Sequence, residues 1–449
     1  MRTFLMRTFL MLLVTISLMA TSAEAQRRGM RGREADFMST PPLVGDAMPV
    51  VEVFDIDGNT VSTDSLLGHY TVLTFGCLTC PPSIWNIRGL EAVERDYGPK
   101  GVKFYFIFMS LAHPELVGNY VQAFTNEERI AQARQAVKQF GTTIPWLVDN
   151  IDNRLRHALG DRPNSQFLID PSGKIVRKRA WSNPQFVRRD LEHFVGPSDQ
   201  ITPEESIRLT LAPALPMRAP RGFVDRIERL NKSAIVAVPD LKSADQPFFA
   251  KLRAEADAEL LAEGRGELYL GFHLDPFHGA YWNNLAKPLS VKLSAAEDVR
   301  LDRLEWIAEK VEAITDSDPR EFVVNVAAWP EDQPIRVDVL YYACQGGETC
   351  HAVRQSYQLR RQRDGNGGGA RSEGAGYWSV SEFTSRILAG DENGDGRITR
   401  AEAVGLLLPH FEKLDRDGDQ HLDRSELAVV TQWLNHHHQP GVPNTSSRK

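Results

Sequence analysis

The stretch that most constrains this chain is Val72-Leu-Thr-Phe-Gly-Cys77-Leu-Thr-Cys80-Pro81-Pro82-Ser83. An apolar run ends at Phe75, and Ile84, Ile87, Leu90, Val93 and Tyr97 then recur at helical spacing. Proline is favoured at the first position of a helix, so the helix begins near Pro81. A buried strand therefore passes through two thiols into a helix start, with Cys80 at the helix N-terminus. Unpaired backbone N–H groups and the helix dipole lower a cysteine pKa there, from about 8.5 to between roughly 3.5 and 7.5. Structural zinc would need two more ligands at suitable spacing, and none accompanies the pair. An inert disulfide is the other reading, but the strand–cysteine–helix context favours redox chemistry.

Only four cysteines occur in 449 residues, as Cys77/Cys80 and Cys344/Cys350. That is too few for a disulfide scaffold and too neatly paired for incidental core thiols. A 42% hydrophobic and 25% charged composition excludes a disordered or collagen-like chain. The formal net charge of −7 argues against nucleic acid as a partner, since such proteins present a basic face.

The N-terminus has the features of an export signal: Arg2 and Arg7, an apolar run from Phe9 to Ala20, then Ala23-Glu24-Ala25 before Gln26. MRTFL occurs twice, which leaves Met6 as an alternative start. The run is shorter than the roughly 20 residues of a spanning helix. We expect cleavage after Ala25, no transmembrane segment afterwards, and a periplasmic or secreted protein in a space where disulfides persist.

The expected fold class is multidomain. After the signal peptide (1–25) comes a disordered arm (26–43), then an α/β domain (44–197) whose strands alternate with helices before a hairpin and a final helix. Thr125-x-x-Glu128 is a capping box that opens a helix running to about Phe140. Prolines mark a linker and poorly legible connection (198–249). A mostly-β domain (250–362) follows, with residues 300–313 its one helical stretch. From Leu252 to Leu260 composition favours helix, but strict alternation favours a half-buried strand, which is the expectation. Six glycines in 365–376 make 363–376 a flexible linker, ahead of an all-α module (377–437) and a tail (438–449). His436–His438 fit a helix C-terminal cap better than a metal site.

Phe75-Gly-Cys-Leu-Thr-Cys-Pro-Pro82, Leu111-Ala-His-Pro114 and Asp149-Asn-Ile-Asp-Asn153, in that order, resemble the iodothyronine deiodinases, thioredoxin-fold enzymes. The resemblance spans about 44–195. It implies a thioredoxin-like fold, with Cys80 as nucleophile in the place of the family's selenocysteine. His113 matches the family's active-site histidine, and Pro163 resembles the cis-proline facing the redox cysteine. The chain departs from the family at Leu78, at Ser110-Leu111 and at Asn164-Ser165, which bears against iodothyronine as substrate. On this alignment Ser83 takes the usual resolving position and Cys77 becomes a resolving thiol from the preceding loop. Spacing alone leaves the opposite assignment, with Cys77 attacking, open. A peroxiredoxin-like peroxidase lacks its usual proline and threonine ahead of the cysteine. His113 reads equally as a hydrogen-bonded structural histidine.

Cys344-Gln-Gly-Gly-Glu-Thr-Cys350 lies between two apolar strands and predicts a hairpin tip with both sulfurs close enough to pair. Geometry favours a staple. The cysteine spacing, with His278-Gly-Ala-Tyr-Trp282-Asn-Asn, resembles the N-terminal immunoglobulin-like domain of the thiol:disulfide interchange protein DsbD over about 250–360. That resemblance implies an immunoglobulin-like fold and electron exchange by Cys344 and Cys350 with periplasmic partners. His273, Asp275 and His278 lack a further metal ligand and read as polar strand and turn groups.

Residues 391–426 hold ten acidic and five basic residues, which accounts for most of the chain's charge. Asp391, Asn393, Asp395, the Arg397 carbonyl, Thr399 through water, and Glu402 follow EF-hand loop phasing, with Gly396 at the sharp turn. A second loop runs Asp415, Asp417, Asp419, the His421 carbonyl, Asp423 and Glu426, with Gln420 where glycine is usual. Ile398 and Leu422 face each other, and one helix (Ala403–Leu414) serves both loops. The pattern predicts up to two Ca2+ and no organic cofactor.

Together these features predict an exported thiol–disulfide oxidoreductase with a calcium-binding module. Its partners would be periplasmic or extracellular protein thiols and disulfides and an external electron donor. Two alternatives are reductive dehalogenation of a halogenated aromatic, with His113 assisting protonation, and a calcium-dependent scaffold holding two inert disulfides.

Overall fold

The computed structural model describes residues 34–112, 114, 120–209, 222–227, 233–242, 244, 246–346 and 349–364. In the C-terminal module it describes 391, 393, 395–403, 407, 411–415, 417–423, 426 and 427. The export signal, His113, the glycine-rich segment and His436–His438 lie outside these residues.

The first domain is a seven-stranded sheet flanked by helices, a thioredoxin-like α/β layer. Its strands are β1 (Glu52–Asp55), β2 (Thr60–Ser62), β3 (Thr71–Gly76), β4 (Lys103–Phe108), β5 (Trp146–Val148), β6 (Gln166–Ile169) and β7 (Ile175–Arg179), in the order β2-β1-β5-β4-β3-β6-β7. β3, β4 and β5 are parallel, and the β6–β7 hairpin joins β3 antiparallel. Helix α1 (Pro81–Tyr97) connects β3 to β4, and α2 (Asn126–Phe140) lies between β4 and β5. α3 (Arg154–Ala158) and α4 (Pro184–Val195) follow.

A strand buried on both faces reads as a continuous apolar run, which is what Val72–Phe75 and Phe104–Phe108 do. Val72 and Phe106 pack with Leu90 of α1, Ala133 of α2 and Leu191 of α4. Leu73 and Phe75 point the other way, to Leu155 of α3 and to Phe37.

Residues 34–43 of the arm expected over 26–43 are ordered. Residues 34–39 are helical, Phe37 is buried, and Lys178 Nζ donates to the carbonyls of Thr40 at 2.5 Å and Pro42 at 3.1 Å. Burial brings that lysine down to about 8.

The second domain is an eleven-stranded antiparallel assembly in two layers joined through Ser233–Pro239. Leu270 and Val324 of one layer and Val337 and Tyr341 of the other share one core. Three sequence expectations fail here. The connection 198–249 contains that joining strand, and its Thr202 N–H donates to Asp96 at 3.1 Å, so it is not a bare linker. The alternating run is a strand only over Ala250–Ala256; Asp257 then accepts from Leu260 N–H and caps the helix Ala258–Glu263. Residues 300–313 form no helix. Arg300–Leu301 and Glu305–Ile307 are strands, because pairing Trp306 opposite Val291 buries the indole in the core.

In the C-terminal module Ile398 pairs with Leu422 in a two-stranded ladder, both fully buried. Phe411–Leu414 is helical. The described residues show two loops, the ladder that joins them and the end of the helix expected over Ala403–Leu414; most of the other residues expected to be helical in this module lie outside the described residues.

Candidate functional site

β3 ends at Gly76, and the next four residues carry both thiols to the N-cap of α1. Cys77 and Cys80 are unpaired thiols, 0% and 4% exposed. Cys77 Sγ accepts the Ala112 N–H at 3.4 Å and lies 3.5 Å from Thr79 Oγ1. Burial, and next the neighbouring Cys80, push the Cys77 thiol above its usual range. Cys80 is the N-cap of α1, with extended backbone and no side-chain capping bond.

Ser83, one turn on, is buried and donates to Asn164 Oδ1 at 2.9 Å. Gly76 permits this approach, since a Cβ there would lie 3.1 Å from Ser83 Oγ. Trp85 is 73% exposed on the same helix start.

The segment holding Cys77 is itself held. Met109 N–H donates to Gly76 O at 3.2 Å, and Ser110 N–H to Asn153 Oδ1 at 3.3 Å. Gln122 clamps Leu111 from both sides, accepting its N–H at 3.0 Å and donating to its carbonyl at 2.6 Å. Asn153 stands in the left-handed region at φ 54°. Arg129 donates to Asn153 Oδ1 at 2.8 Å and to the Asn150 carbonyl, and burial brings it down to about 10. Asp149 accepts the Leu155 and Arg156 N–H groups at 2.9 Å, yet burial leaves its carboxyl raised. The Asp149–Asn153 motif thus buttresses residues 110–112 against Cys77.

Pro163 follows a trans peptide bond; among the described residues the cis bond is Pro41–Pro42. The residue after it, Asn164, makes the contact with α1. Sequence reasoning missed Gln122 and Arg129, and it marked Asn164 only as a departure from the family, without its contact to Ser83 81 residues away.

Cys344 and Cys350 are directly opposed across a hairpin and form a disulfide, with Cα atoms 3.9 Å apart. Gln345 Nε2 donates to the His278 carbonyl at 2.7 Å. His278 Nε2 lies 3.6 Å from Glu128 of α2, and Phe277 packs on Tyr120 with ring centroids 6.5 Å apart. The disulfide hairpin and the segment that continues from Cys77's clamp therefore meet at one interdomain seam. Glu128, Asp275 and His278 bring ligand atoms together there. Lys251 Nζ fills the acidic site, 2.7 Å from Glu128 and 2.6 Å from Asp275, which leaves no place for a cation. His273 is buried beside Tyr269.

In the first C-terminal loop Asp391 accepts the Gly396 N–H at 2.7 Å, Asn393 the Asp395 N–H, Asp395 the Arg397 N–H, and Glu402 the Thr399 N–H. The second loop repeats this with Asp415 and Gln420, Asp417 and Asp419, Asp419 and His421, and Glu426 and Asp423. Oxygens of Asp415, Asp417 and Asp419 converge within 4.8 Å, a donor set that fits a hard divalent cation.

No protein-family model and no curated protein matches the chain. Among solved structures it is similar to a thiol:disulfide interchange protein from Bacteroides sp., at 18% identity and TM-score 0.28, over 36% of this chain and 95% of that one. It is similar to a thioredoxin-family thiol:disulfide interchange protein from Chlorobium tepidum TLS, at 18% identity and TM-score 0.27, over 34% and 97%. It is also similar to the thioredoxin domain of a thiol-disulfide oxidoreductase from Bacteroides vulgatus, at 19% identity and TM-score 0.26, over 34% and 97%.

Proposed function

We propose that the chain is an exported thiol–disulfide oxidoreductase in which Cys80 attacks and Cys77 resolves. The observation that carries this is the asymmetry of the pair. Cys80 is the less enclosed sulfur at a helix N-cap, while Cys77 is fully buried, hydrogen-bonded to Ala112 N–H and held protonated by burial.

The Cys80 thiolate attacks one sulfur of a substrate disulfide. That bond breaks, a mixed disulfide forms on Cys80, and the departing thiolate takes a proton. Cys77 then loses its proton and attacks Cys80 sulfur, releasing the second substrate thiol and leaving a Cys77–Cys80 disulfide. Two electrons have passed to the substrate, and an external dithiol restores the pair.

The shared seam supports a relay in which Cys344 and Cys350 exchange electrons with the first pair. A Cys80–Cys344 or Cys80–Cys350 crosslink in single-cysteine variants tests it. Asp391, Asn393, Asp395, Glu402, Asp415, Asp417, Asp419 and Glu426, with the Arg397 and His421 carbonyls, would hold Ca2+. At extracellular affinities of roughly 10⁻⁴ to 10⁻³ M, calcium would supply fixed structure rather than a signal.

Reductive dehalogenation is the second reading. It is favoured by Ala112, in one deiodinase-like segment, donating to Cys77 Sγ, while Asn153, in another, accepts from Ser110 two residues before Ala112. There Cys80 thiolate would take the halogen, the ring carbon a proton, and Cys77 would displace halide as the disulfide forms. Cys80→Ser and Cys77→Ser, assayed separately for reduction of a peptide disulfide and for iodide release from an iodinated phenol, separate the readings. Cys80→Ser should abolish turnover, and full activity in it would contradict the assignment. Reduction potentials below roughly −300 mV for both pairs would instead support the inert scaffold.

A further inference from the structure

Pro81 and Pro82 occupy the first two positions of α1 and have no N–H. They remove two of the donors that a helix start ordinarily offers. The Ile84 N–H is committed to Cys80 O at 3.2 Å. The backbone donor left near an N-cap sulfur is therefore Ser83 N–H, at the position an N-cap side chain reaches. Stabilising a Cys80 thiolate falls largely to one residue.

Ser83 also has a hydroxyl, but that O–H is directed at Asn164 Oδ1, 2.9 Å away, with the Phe75 carbonyl a longer acceptor at 3.5 Å. Asn164 is fully buried, and its Nδ2 has no hydrogen-bond partner among the described residues. An orphaned buried donor is costly, so its retention against Ser83, one turn from Cys80, calls for a reason.

We propose that Asn164 is a positioning residue for the Cys80 thiolate, turning its amide so that Ser83 donates to sulfur. With Cys80 protonated, Oδ1 faces Ser83 Oγ and accepts its proton. When Cys80 ionises, the amide rotates, Nδ2–H donates to Ser83 Oγ, and the Ser83 O–H is freed to point at the sulfur. The orphaned nitrogen gains an acceptor, and the thiolate gains a donor hydroxyl at a helix start where the Cys80 sulfur makes no capping bond. An asparagine side chain carries both an acceptor and donors; ionised aspartate accepts only, and leucine does neither. The role rests on the reading of Cys80 as nucleophile.

The test is a pH titration of thiolate ultraviolet absorbance in the full-length Cys77→Ser protein, where Cys80 is the one free thiol. Asn164→Asp, Asn164→Leu and Ser83→Ala should each raise the Cys80 midpoint by about one pH unit. Ser83→Thr should leave the midpoint where Cys77→Ser alone has it, and Asn164→Leu should add nothing on top of Ser83→Ala. Circular dichroism checks folding; if Asn164→Leu does not fold, the near-isosteric Asn164→Asp and Ser83→Ala decide. An unchanged midpoint in a folded Asn164 variant, or additive shifts in the double variant, overturns the proposal. Because the titration needs no turnover, its failure is distinct from that of the functional reading, which the Cys80→Ser assay measures.

Discussion

Lys251 Nζ, 3% exposed in the second domain, lies 2.7 Å from Glu128 Oε2 on the α2 helix of the first. Phe124, four residues before Glu128, sits in the second domain's core, in edge contact with Phe248 and Tyr357. The thioredoxin-like layer is thus plugged into its neighbour through the chain that continues from Cys77's clamp.

Removing one partner of a buried ion pair strands the other charges. Lys251→Met should destabilise the protein by about 5 kcal/mol, because Glu128 and Asp275 both lose their cation. Glu128→Gln should cost less, since Asp275 keeps Lys251. Urea unfolding of the full chain measures both, and equal stability in Lys251→Met would contradict the seam.

The pair also sets a pH dependence. Burial raises the Glu128 carboxyl, but Lys251, His278 and the Phe124 N–H outweigh it and hold it at about 2. A carboxyl depressed on folding stabilises fully above its unfolded pKa of about 4.3. That stability is lost as pH falls toward 2 and amounts to about 3 kcal/mol. Wild type and Glu128→Gln should therefore converge in stability between pH 4.5 and 2. A constant difference across that window would count against this assignment.

The Cys344–Cys350 bridge closes a short loop, six residues in sequence separation. Chain entropy gives such a bridge about 2 kcal/mol. Replacing both cysteines by alanine should lower the unfolding free energy by that amount while leaving Cys77 and Cys80 reactive toward a thiol reagent. Loss of their reactivity would show that the hairpin supports the first site.

Gln420 takes φ 66° at the turn of the second acidic loop, where the first loop has Gly396 at φ 81°. A side chain in that region costs on the order of 1 kcal/mol. Gln420→Gly should tighten calcium binding at this loop about fivefold by titration calorimetry. Unchanged affinity would mean that the loop carries the same strain with and without calcium.

Local patterns in the sequence marked much of this. The two-sided apolar runs located β3 and β4, and Thr125 with Glu128 marked the start of α2, where Glu128 N–H does reach Thr125 Oγ1. The Glu128 carboxylate does not return to the N-cap N–H; it accepts from Phe124 N–H and Lys251. That role belongs to the seam and leaves no local trace. The failure at 300–313 has the same origin, since helical spacing there lost to cross-strand burial of Trp306. The contact of Asn164 was invisible because its partner, Ser83, lies 81 residues away and is reached only once β6 has paired with β3.

The central claim is that Cys80 is the attacking sulfur. The direct measurement is mass-spectrometric trapping of the mixed disulfide with a model peptide disulfide, in Cys77→Ser and Cys80→Ser side by side. We predict an adduct on Cys80 that accumulates in Cys77→Ser, and little or none in Cys80→Ser. An adduct forming on Cys77 in Cys80→Ser as fast or faster would reverse the assignment.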